Sequence, residues 1–405
     1  MFGSKQGYTL PLTITILLVI GYLSFSFYEM VKRERQDSFR RYKNIQAELE
    51  LESAANYSFY RMAQEGKPWR TDSLTYSTKD GTIGFFIRHF QDGAFARLEA
   101  HNRDSSKTLS VHTGFIPKAR PALVLTAPQS SIALVGDARI EGGTATKKGS
   151  VSYSTNYKMR ATKEAFHDTV YVGDTLPYFD ILKYYPELSR KNFADKFSQQ
   201  NCVFDGVDLV PEELSCATVV LQGDSRCKGC KIQAERVFIR ERSKIEHGDI
   251  TARTISAKEN VSLNGVFFAQ DSLEINVNTE QNAKNTFVLQ GRKVSDVDYT
   301  GKMAFKKLKA KDASIIFLGD NWDETLRGVP VEITEEVDIT GAIIVNGTID
   351  FRGKLKGHMT ISNFSFYEGE TLWRGFLRGG QIKGDTSVHV MLPDMVYFGG
   401  DPSYE

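Results

Sequence analysis

Residues 230–275 read CKIQAERVFIRERSKIEHGDITARTISAKENVSLNGVFFAQDSLEI. Short apolar runs rich in Val, Ile and Phe alternate in this stretch with polar turns that contain Gly, Asn or Ser. β-Branched and aromatic side chains favour strands, and closely spaced turn residues keep those strands short. The stretch therefore predicts a mainly-β body made of many short strands joined by tight turns.

The same alternation of short apolar runs and polar turns occurs on both sides of this stretch. Residues 131–149, SIALVGDARIEGGTATKKG, and residues 336–362, EVDITGAIIVNGTIDFRGKLKGHMTIS, again place short apolar runs between Gly-containing turns. A Leu-x-Gly-Asp motif marks Leu134–Asp137 and Leu221–Asp224, and a version shorter by one residue marks Leu318–Asp320. Stacked parallel coils require short strands with inward apolar residues and Gly at corners, so we predict an irregular β-helix or solenoid. Because the period is loose, an antiparallel sandwich or barrel is the second prediction.

Two segments depart from this pattern of short apolar runs and turns. Residues 67–127 alternate in the manner of antiparallel strands, and an Asp-Gly pair at Asp92 between two apolar runs predicts a hairpin. Residues 152–214 form an aromatic-rich insertion that either carries a contact surface or covers an open end of the solenoid. The aromatic residues that define this insertion are Tyr178, Phe179, Tyr184 and Tyr185.

The four cysteines lie close together, at Cys202, Cys216, Cys227 and Cys230. An even, clustered set in an exported domain predicts two local disulfides, between the first two cysteines and between the last two. Free thiols are the alternative for a cytoplasmic body, and metal binding or redox chemistry is a third interpretation. Zinc favours two closely spaced pairs, whereas only the last two cysteines form one, and the residues around them predict strands.

The sequence contains no catalytic constellation. Its seven histidines are scattered without metal-ligand spacing, and it has no nucleophile elbow, phosphate-binding loop or dinucleotide fingerprint. We therefore predict neither an enzyme nor a cofactor or metal site. Three aromatic residues near the C-terminus either stack on a sugar or fill a core: Tyr367, Trp373 and Phe376. The carboxylates that a β-helix enzyme would draw on are weak candidates, because turns also explain them: Asp249, Asp271 and Asp320.

The N-terminal segment is the other distinctive feature. Residues 8–27, YTLPLTITILLVIGYLSFSF, contain no charge, and at about 1.5 Å per residue such a run crosses a hydrocarbon core of about 30 Å as a helix. Residues 29–64 follow without Pro or Gly and predict an amphipathic helix. A secretory signal peptide is the alternative, but the run is longer than usual and lacks a small-residue cleavage site. The apolar stripe of the second half begins with Phe39, Tyr42, Ile45 and Leu49.

The first ten residues, MFGSKQGYTL, resemble the leader of type IV prepilins, in which a short basic leader ends in Gly before an aromatic residue, Thr-Leu and an apolar helix. The resemblance implies cleavage after Gly7 and N-methylation of Tyr8. Leu12 stands where major pilins carry Glu, which points to a minor pilin or to the K-type minor pseudopilin of type II secretion. The resemblance also implies an anchor in the inner membrane, an exported body, and partners among pilin-like subunits and other envelope proteins.

The orientation in the membrane is a point of conflict. Basic residues from Lys32 to Lys43 outnumber Lys5 on the other side of the apolar run, so charge bias alone places the body in the cytoplasm. Residues 336–357 resemble the coils of bactofilins, which implies a membrane-tethered cytoplasmic scaffold. A single-pass protein whose β-helix binds or cleaves polysaccharide is the remaining hypothesis. The formal net charge of +1 gives no reason to expect a nucleic-acid partner.

These patterns divide the chain into seven parts. They are a leader at 1–7, a transmembrane helix at 8–27, an amphipathic helix at 28–66, a β-rich subdomain at 67–127, first solenoid-like strands at 128–151, the insertion at 152–214 and a β-solenoid-like domain at 215–405.

Overall fold

The computed structural model describes residues 9–65, 72–78, 81–92, 95–102, 108–114, 121–128, 131–154, 170–172, 200–209, 213–293, 299–319, 328–385 and 395–397. The chain divides into two compact units. One contains the N-terminal helix and most of the first four strands. The other contains the parallel β-structure that makes up most of the chain.

A single helix, α1, runs without a break over Thr9–Glu65 and has 57 residues. Its portion Ile14–Ala47 is long and apolar enough to cross a membrane, with a mean hydropathy of 1.8 in its most apolar part. A signal sequence has the same properties, so this portion is an anchor or a signal. The uncharged run and the charged segment that follows it therefore form one continuous helix, as the sequence predicts.

The remaining elements of the described chain are strands. Their bounds are β1 Asp72–Thr78, β2 Gly81–Asp92, β3 Phe95–Asn102, β4 Thr108–Gly114, β5 Leu123–Leu125, β6 Ile132–Val135, β7 Arg139–Glu141, β8 Thr144–Thr146, β9 Val151–Tyr153, β10 Val170–Val172, β11 Asn201–Asp205, β12 Asp208–Leu209, β13 Glu213–Gln222, β14 Arg226–Lys228, β15 Lys231–Ile239, β16 Lys244–Glu246, β17 Gly248–Glu259, β18 Gly265–Gln281, β19 Asn285–Leu289, β20 Arg292–Lys293, β21 Tyr299–Thr300, β22 Lys302–Phe317, β23 Val331–Ile333, β24 Val337–Phe351, β25 Lys354–Glu368, β26 Thr371–Arg374, β27 Phe376–Arg378, β28 Gln381–Lys383 and β29 Met395–Tyr397.

Strands β1, β2, β3, β4 and β29 form a five-stranded sheet in that order. β1 pairs with β2 in antiparallel register, whereas β29 joins β4 in parallel register. β2 ends at Asp92, and its neighbour in the sheet, β3, begins at Phe95, so the predicted hairpin turn falls between two adjacent strands, at residues outside the described ranges.

A 16-stranded sheet and two three-stranded sheets make up the main body, and we call these three sheets together the parallel stack. Among their described pairings, only that of β25 with β26 is antiparallel. Successive strands lie side by side in regular register: Lys231 of β15 pairs with Glu213 before it and Asp249 after it. This arrangement is consistent with a β-solenoid, and it favours the first of the two predicted β architectures over an antiparallel sandwich or barrel.

The core of the parallel stack consists of apolar ladders that run from coil to coil. One ladder of paired, fully buried residues begins at Val219 and continues through Val237, Ile255, Leu273, Met303, Val331 and Ile349. A second begins at Ile232 and continues through Ile250, Phe267, Phe287, Ile315, Ile343, Met359 and Leu123. Alternate residues point outward in each strand, because successive side chains of a strand lie on opposite faces.

The second ladder shows that the order of coils in space differs from their order in the sequence. Met359 of β25 pairs with Leu123 of β5, and Gln381 of β28 pairs with Arg139 of β7. Residues 121–154 therefore continue the stack beyond its C-terminal coils. At the other end, β11 pairs with β13, so parallel coils already begin at Asn201, ahead of the expected boundary at residue 215.

The Leu-x-Gly-Asp motifs lie at turns between strands. The first links β6 to β7, and the second links β13 to β14. The shortened third motif follows β22 and therefore lies at a different corner, and its Asp320 is outside the described residues. The buried leucine of each motif contributes to the core, but the three copies are not one structural repeat.

Ion pairs connect neighbouring coils on the outer face. Glu274 of β18 lies between Lys258 of β17 and Lys306 of β22, with N–O distances of 3.1 Å and 2.6 Å. The hydrogen bond from Lys306 is the main cause that holds the pKa of Glu274 below its usual value of 4.5, and Lys258 adds to it. The charged carboxylate therefore stabilises the contact between three successive strands.

We expect Glu274→Gln to lower the free energy of unfolding at neutral pH by up to about 1 kcal/mol, because the lysines are partly exposed to solvent. The folded-state pKa is depressed, so this contribution is present above the unfolded-state pKa and is lost as the pH falls through the folded-state value. Denaturant unfolding at neutral and acidic pH measures both effects. Glu246→Gln, which removes an exposed carboxylate without a described ion pair, is the control. Equal losses for the two variants would contradict the role of Glu274.

Candidate functional site

The predicted processing site is not part of the described chain. Gly7 and Tyr8 precede Thr9, the first described residue of α1. Cleavage after Gly7 and methylation of Tyr8 therefore stay predictions. The aromatic residues of the 152–214 insertion, Tyr178, Phe179, Tyr184 and Tyr185, also lie outside the described residues.

The structure contains two disulfides at one end of the parallel stack. Cys202 of β11 is bonded to Cys216 of β13, with a Cα–Cα distance of 6.2 Å. Cys227 of β14 is bonded to Cys230, and both of these side chains are fully buried. Disulfides persist in oxidising compartments and are rare in the cytosol, so this pairing indicates an oxidising, extracytoplasmic environment for the body.

The other sequence candidates do not converge on a catalytic or metal centre. Asp249 and Asp271 lie in strands β17 and β18 rather than in turns, and Asp320 is outside the described residues. Within the described residues, no group of three or more His, Cys, Asp or Glu side chains could hold a metal ion.

A cavity of about 350 Å³ opens on the outer face of the parallel stack. Its described lining consists of Gly301, Lys302, Gly328, Val329, Pro330, Glu332, Asp350, Arg352, Tyr367 and Arg378. We call this cavity the outer pocket. Small-molecule sites in proteins have volumes from about 300 to 1,000 Å³, so the outer pocket is large enough for a small ligand.

Strands β22, β23, β24 and β27, together with the residue that follows β24, position the charged side chains of the outer pocket. Glu332 of β23 pairs directly with Asp350 of β24, and the neighbours of Glu332 on either side, Val331 and Ile333, are buried in the core. Because alternate residues of a strand face opposite sides, burial of Val331 and Ile333 directs Glu332 outward. The same alternation places Lys302 of β22 and Arg378 of β27 on the outer face.

A single guanidinium group links the two carboxylates of the outer pocket. Nη2 of Arg352 lies 3.1 Å from Oε1 of Glu332 and 3.3 Å from Oδ2 of Asp350. The other oxygen of Glu332, Oε2, lies 3.5 Å from Nζ of Lys302. Arg352 thus holds both carboxylates in fixed positions, and its own side chain is only 25% exposed.

Burial raises the pKa of Asp350 above its usual value of 3.8, and the nearby positive charges of Arg352 and Arg378 offset this only in part. The side chain of Asp350 is 13% exposed, which explains the desolvation. A carboxylate that is held in a cleft at a cost in free energy is typical of a functional site, because nothing in the core requires its charge.

Aromatic side chains form the rim beside these charges. The guanidinium of Arg378 lies over the ring of Phe366, with Cζ 4.5 Å from the ring centroid. Tyr367 follows on the same strand, is 45% exposed and lines the outer pocket. Trp373, on the opposite strand of the β25–β26 hairpin, pairs with Phe366 and packs edge-on against Phe376 at 5.7 Å. Of the three aromatic residues flagged in the sequence, Tyr367 lines the pocket, whereas Phe376 and Trp373 support the hairpin.

We expect Asp350→Asn to raise the stability of the protein at neutral pH. The folded-state pKa of Asp350 is raised, so its protonated form is favoured in the fold, and stability falls as the pH rises through the interval between the unfolded-state and folded-state values. An uncharged isostere removes that cost, while Arg352 keeps its pair with Glu332. Denaturant midpoints at neutral pH should rise for Asp350→Asn and fall for Glu274→Gln. A lower midpoint for Asp350→Asn would contradict this account.

The exposed face of α1 is a second surface that lacks a partner in the described structure. Apolar side chains from Ile14 to Phe27 are 49–72% exposed, which is consistent with contact to lipid. Phe39, Tyr42, Ile45 and Leu49 are 57–64% exposed beyond the apolar run. Soluble surfaces rarely leave such a stripe uncovered, so this face is a candidate interaction surface.

Comparison of the chain with protein-family models, with curated proteins and with solved structures finds no match. The class that the fold defines is therefore a general one. The protein has an N-terminal apolar helix, which is an anchor or a signal, and a β-rich body with a large parallel sheet.

Proposed function

We propose that this protein is a membrane-anchored structural subunit of the cell envelope, similar to a minor pilin or pseudopilin. Its N-terminal helix is held in the inner membrane, and its solenoid-like body lies on the periplasmic or extracellular side. The single observation that carries this proposal is the continuous 57-residue helix, whose apolar side chains remain exposed in both its uncharged and its charged half.

The two halves of α1 fit different surroundings. The first half carries no charge over residues 8–27, which matches the thickness of a bilayer at about 1.5 Å per residue. The second half carries basic and acidic residues, so it lies in water or at the membrane surface. Its apolar stripe recurs every three or four residues, which is the spacing that packs one helix against another. A simple anchor would not need this stripe.

The disulfides support the proposed orientation. Cytosolic thiols are kept reduced, whereas the two bonds at Cys202–Cys216 and Cys227–Cys230 suit an oxidising compartment. They count against a bactofilin-like scaffold in the cytoplasm, although the basic residues after the apolar run favour that orientation. Charge bias is a statistical rule, and long domains are exported largely regardless of it.

The N-terminus of the protein purified from membranes tests the proposal. Mass spectrometry should find a mature chain that begins at Tyr8 and carries an N-methyl group. Gly7→Val should block cleavage, whereas Gly3→Val in the same leader should not. A chain that begins at Met1, together with a C-terminal reporter enzyme that is active only in the cytoplasm, would overturn the proposal.

Crosslinking tests the subunit role separately. A photoreactive residue in place of Tyr42 should give defined crosslinks to another envelope protein or to a second copy, because Tyr42 lies on the exposed stripe. The same group in place of Arg40, which lies roughly opposite on the helix, is the matched control. Equal crosslinking at the two positions, or crosslinking only to lipid, would leave an anchor without a subunit contact and contradict this part of the proposal.

A polysaccharide-binding protein is the second candidate function, and the outer pocket is the observation that favours it. The pocket combines a partly exposed tyrosine ring with fixed hydrogen-bonding groups, which is the usual composition of a small-ligand site. Both functions are compatible with a single chain, since the pocket and the helix belong to different units.

A further inference from the structure

We propose that the outer pocket binds one acidic sugar unit, with the sugar carboxylate on Arg378 and the sugar ring against Tyr367. The inference concerns the parallel stack alone and does not depend on how α1 is placed in the membrane. It is carried by hydrogen-bonding groups that the described structure leaves unused, by the charge balance of the cavity, and by the rigidity of the strands that form it.

Several polar groups around the cavity have no hydrogen-bond partner among the described residues. The guanidinium of Arg378 contacts the ring of Phe366, but it makes no ion pair with a described carboxylate. The Nε of Arg352 also has no acceptor in the described part of the chain, but it is buried and out of reach of a ligand. The partly exposed guanidinium of Arg378 is therefore the group whose donors can bind an acceptor in the cavity.

The charges of the outer pocket favour an anion. Three cations, Lys302, Arg352 and Arg378, face two carboxylates, Glu332 and Asp350. Arg352 and Lys302 form ion pairs with the carboxylates, whereas Arg378 acts on Asp350 only through its charge and forms no ion pair with a described carboxylate. A guanidinium binds a carboxylate through two parallel hydrogen bonds, so Arg378 has the geometry that an acidic group requires.

The remaining groups suit a polyhydroxylated ring rather than a simple anion. Glu332 and Asp350 are hydrogen-bond acceptors in fixed positions, and hydroxyl groups are the donors that would reach them without adding charge. The partly exposed ring of Tyr367 offers an apolar face, and its phenol can donate or accept. A cavity of about 350 Å³ is near the lower end for small-molecule sites, which favours one sugar unit over a longer segment.

The scaffold holds these groups in place before a ligand arrives. Lys302, Glu332, Asp350 and Arg378 lie on strands whose neighbouring residues are buried in the core, and Arg352 directly follows the end of β24. Rigid strands fix side chains more closely than loops do, so little ordering is required on binding.

Calorimetric titration of the full chain in detergent tests the proposal, with glucuronate, glucose and inorganic phosphate as the probes at constant ionic strength. Glucuronate and glucose differ only in the carboxylate. We expect saturable millimolar or tighter binding of glucuronate, and at least about tenfold weaker binding of glucose, since glucose lacks the carboxylate that would accept charged hydrogen bonds from Arg378. Arg378→Gln should weaken glucuronate binding about tenfold or more. Arg242→Gln, at an exposed arginine on another part of the stack, should leave it unchanged.

Each other outcome overturns the proposal. If the folded wild-type protein shows no saturable binding of glucuronate, the pocket has no affinity for acidic sugars. Equal affinity for glucose would remove the role of the carboxylate, and equal loss in Arg378→Gln and Arg242→Gln would place binding elsewhere. Phosphate that competes as strongly as glucuronate would reveal a plain anion site. The circular dichroism spectrum of Arg378→Gln must match that of the wild type, and Tyr367→Phe provides a second variant that retains the ring but lacks the hydroxyl.

Discussion

Gly341→Ala is expected to lower the free energy of unfolding by about 3 kcal/mol or more. Gly341 lies in β24 directly beside Ala313 of β22, and a methyl group on Gly341 would overlap the backbone carbonyl of Ala313. Its φ of +157° is also rare for a residue with a side chain. Strained backbone costs about 1–3 kcal/mol, and overpacking costs about as much again. Neighbouring coils would have to separate, so the loss should exceed that of an ordinary surface substitution.

Gly136→Ala separates the two contributions to this loss. Gly136 also has a positive φ, of +65°, but a methyl group there would meet no atom within 4 Å. We expect it to cost about 1–2 kcal/mol from backbone conformation alone. Chemical denaturation followed by circular dichroism compares the two variants. A loss at Gly341 no larger than that at Gly136 would show that close contact between neighbouring strands does not limit the residue at position 341.

The helix and the strand-rich body follow from local sequence. The apolar run and the stripe that begins at Phe39 predict α1, because the periodicity of a helix depends on residues only three or four positions apart in the sequence. Short alternating runs such as those around Ile250 and Phe267 predict strands with one inward face, and both side chains are fully buried. A parallel β-solenoid was the first of the two predicted architectures, because Gly residues at corners are typical of stacked coils.

The order of the coils could not be predicted in the same way. Leu123 pairs with Met359, which lies far away in the sequence, and no local signal marks that contact. The loose period has a physical cause as well. β18 pairs with β19 along one part and with β22 along another, and the short strands β20 and β21 between β19 and β22 pair with each other in a separate sheet. Segments of this kind make the period of the repeat irregular, while the buried ladders of the core continue from strand to strand.

The outer pocket was also invisible in the sequence. Its charged residues come from separate coils between Lys302 and Arg378, and none of them belongs to a short motif. The one signal was the set of three aromatic residues near the C-terminus, and of these Tyr367 lines the cavity. Glu332 and Asp350 become neighbours only through the register of β23 with β24, and register is a property of the whole stack rather than of either strand.

Phe287→Ala is expected to lower the free energy of unfolding by about 3–5 kcal/mol, which is the usual cost of removing a buried aromatic ring. Phe287 of β19 is fully buried, and its ring stacks on Phe267 at 5.3 Å and packs edge-on against Phe305 at 5.5 Å. The substitution would leave a cavity between three coils, because the strands that hold the two other rings cannot collapse into it. Phe287→Leu should cost less, since it retains most of the apolar volume.

Hydrogen exchange would show which strands lose stability in Phe287→Ala. Stacked coils contact only their neighbours, so amide protection should fall in β18, β19 and β22 more than in β13 and β15. Val203→Ala, at a 60% exposed position of β11, is the control for shortening an apolar side chain and should change neither stability nor exchange in those strands. Uniform loss of protection across all strands would show that the parallel stack unfolds as one cooperative unit, and the local account of this core would then be wrong.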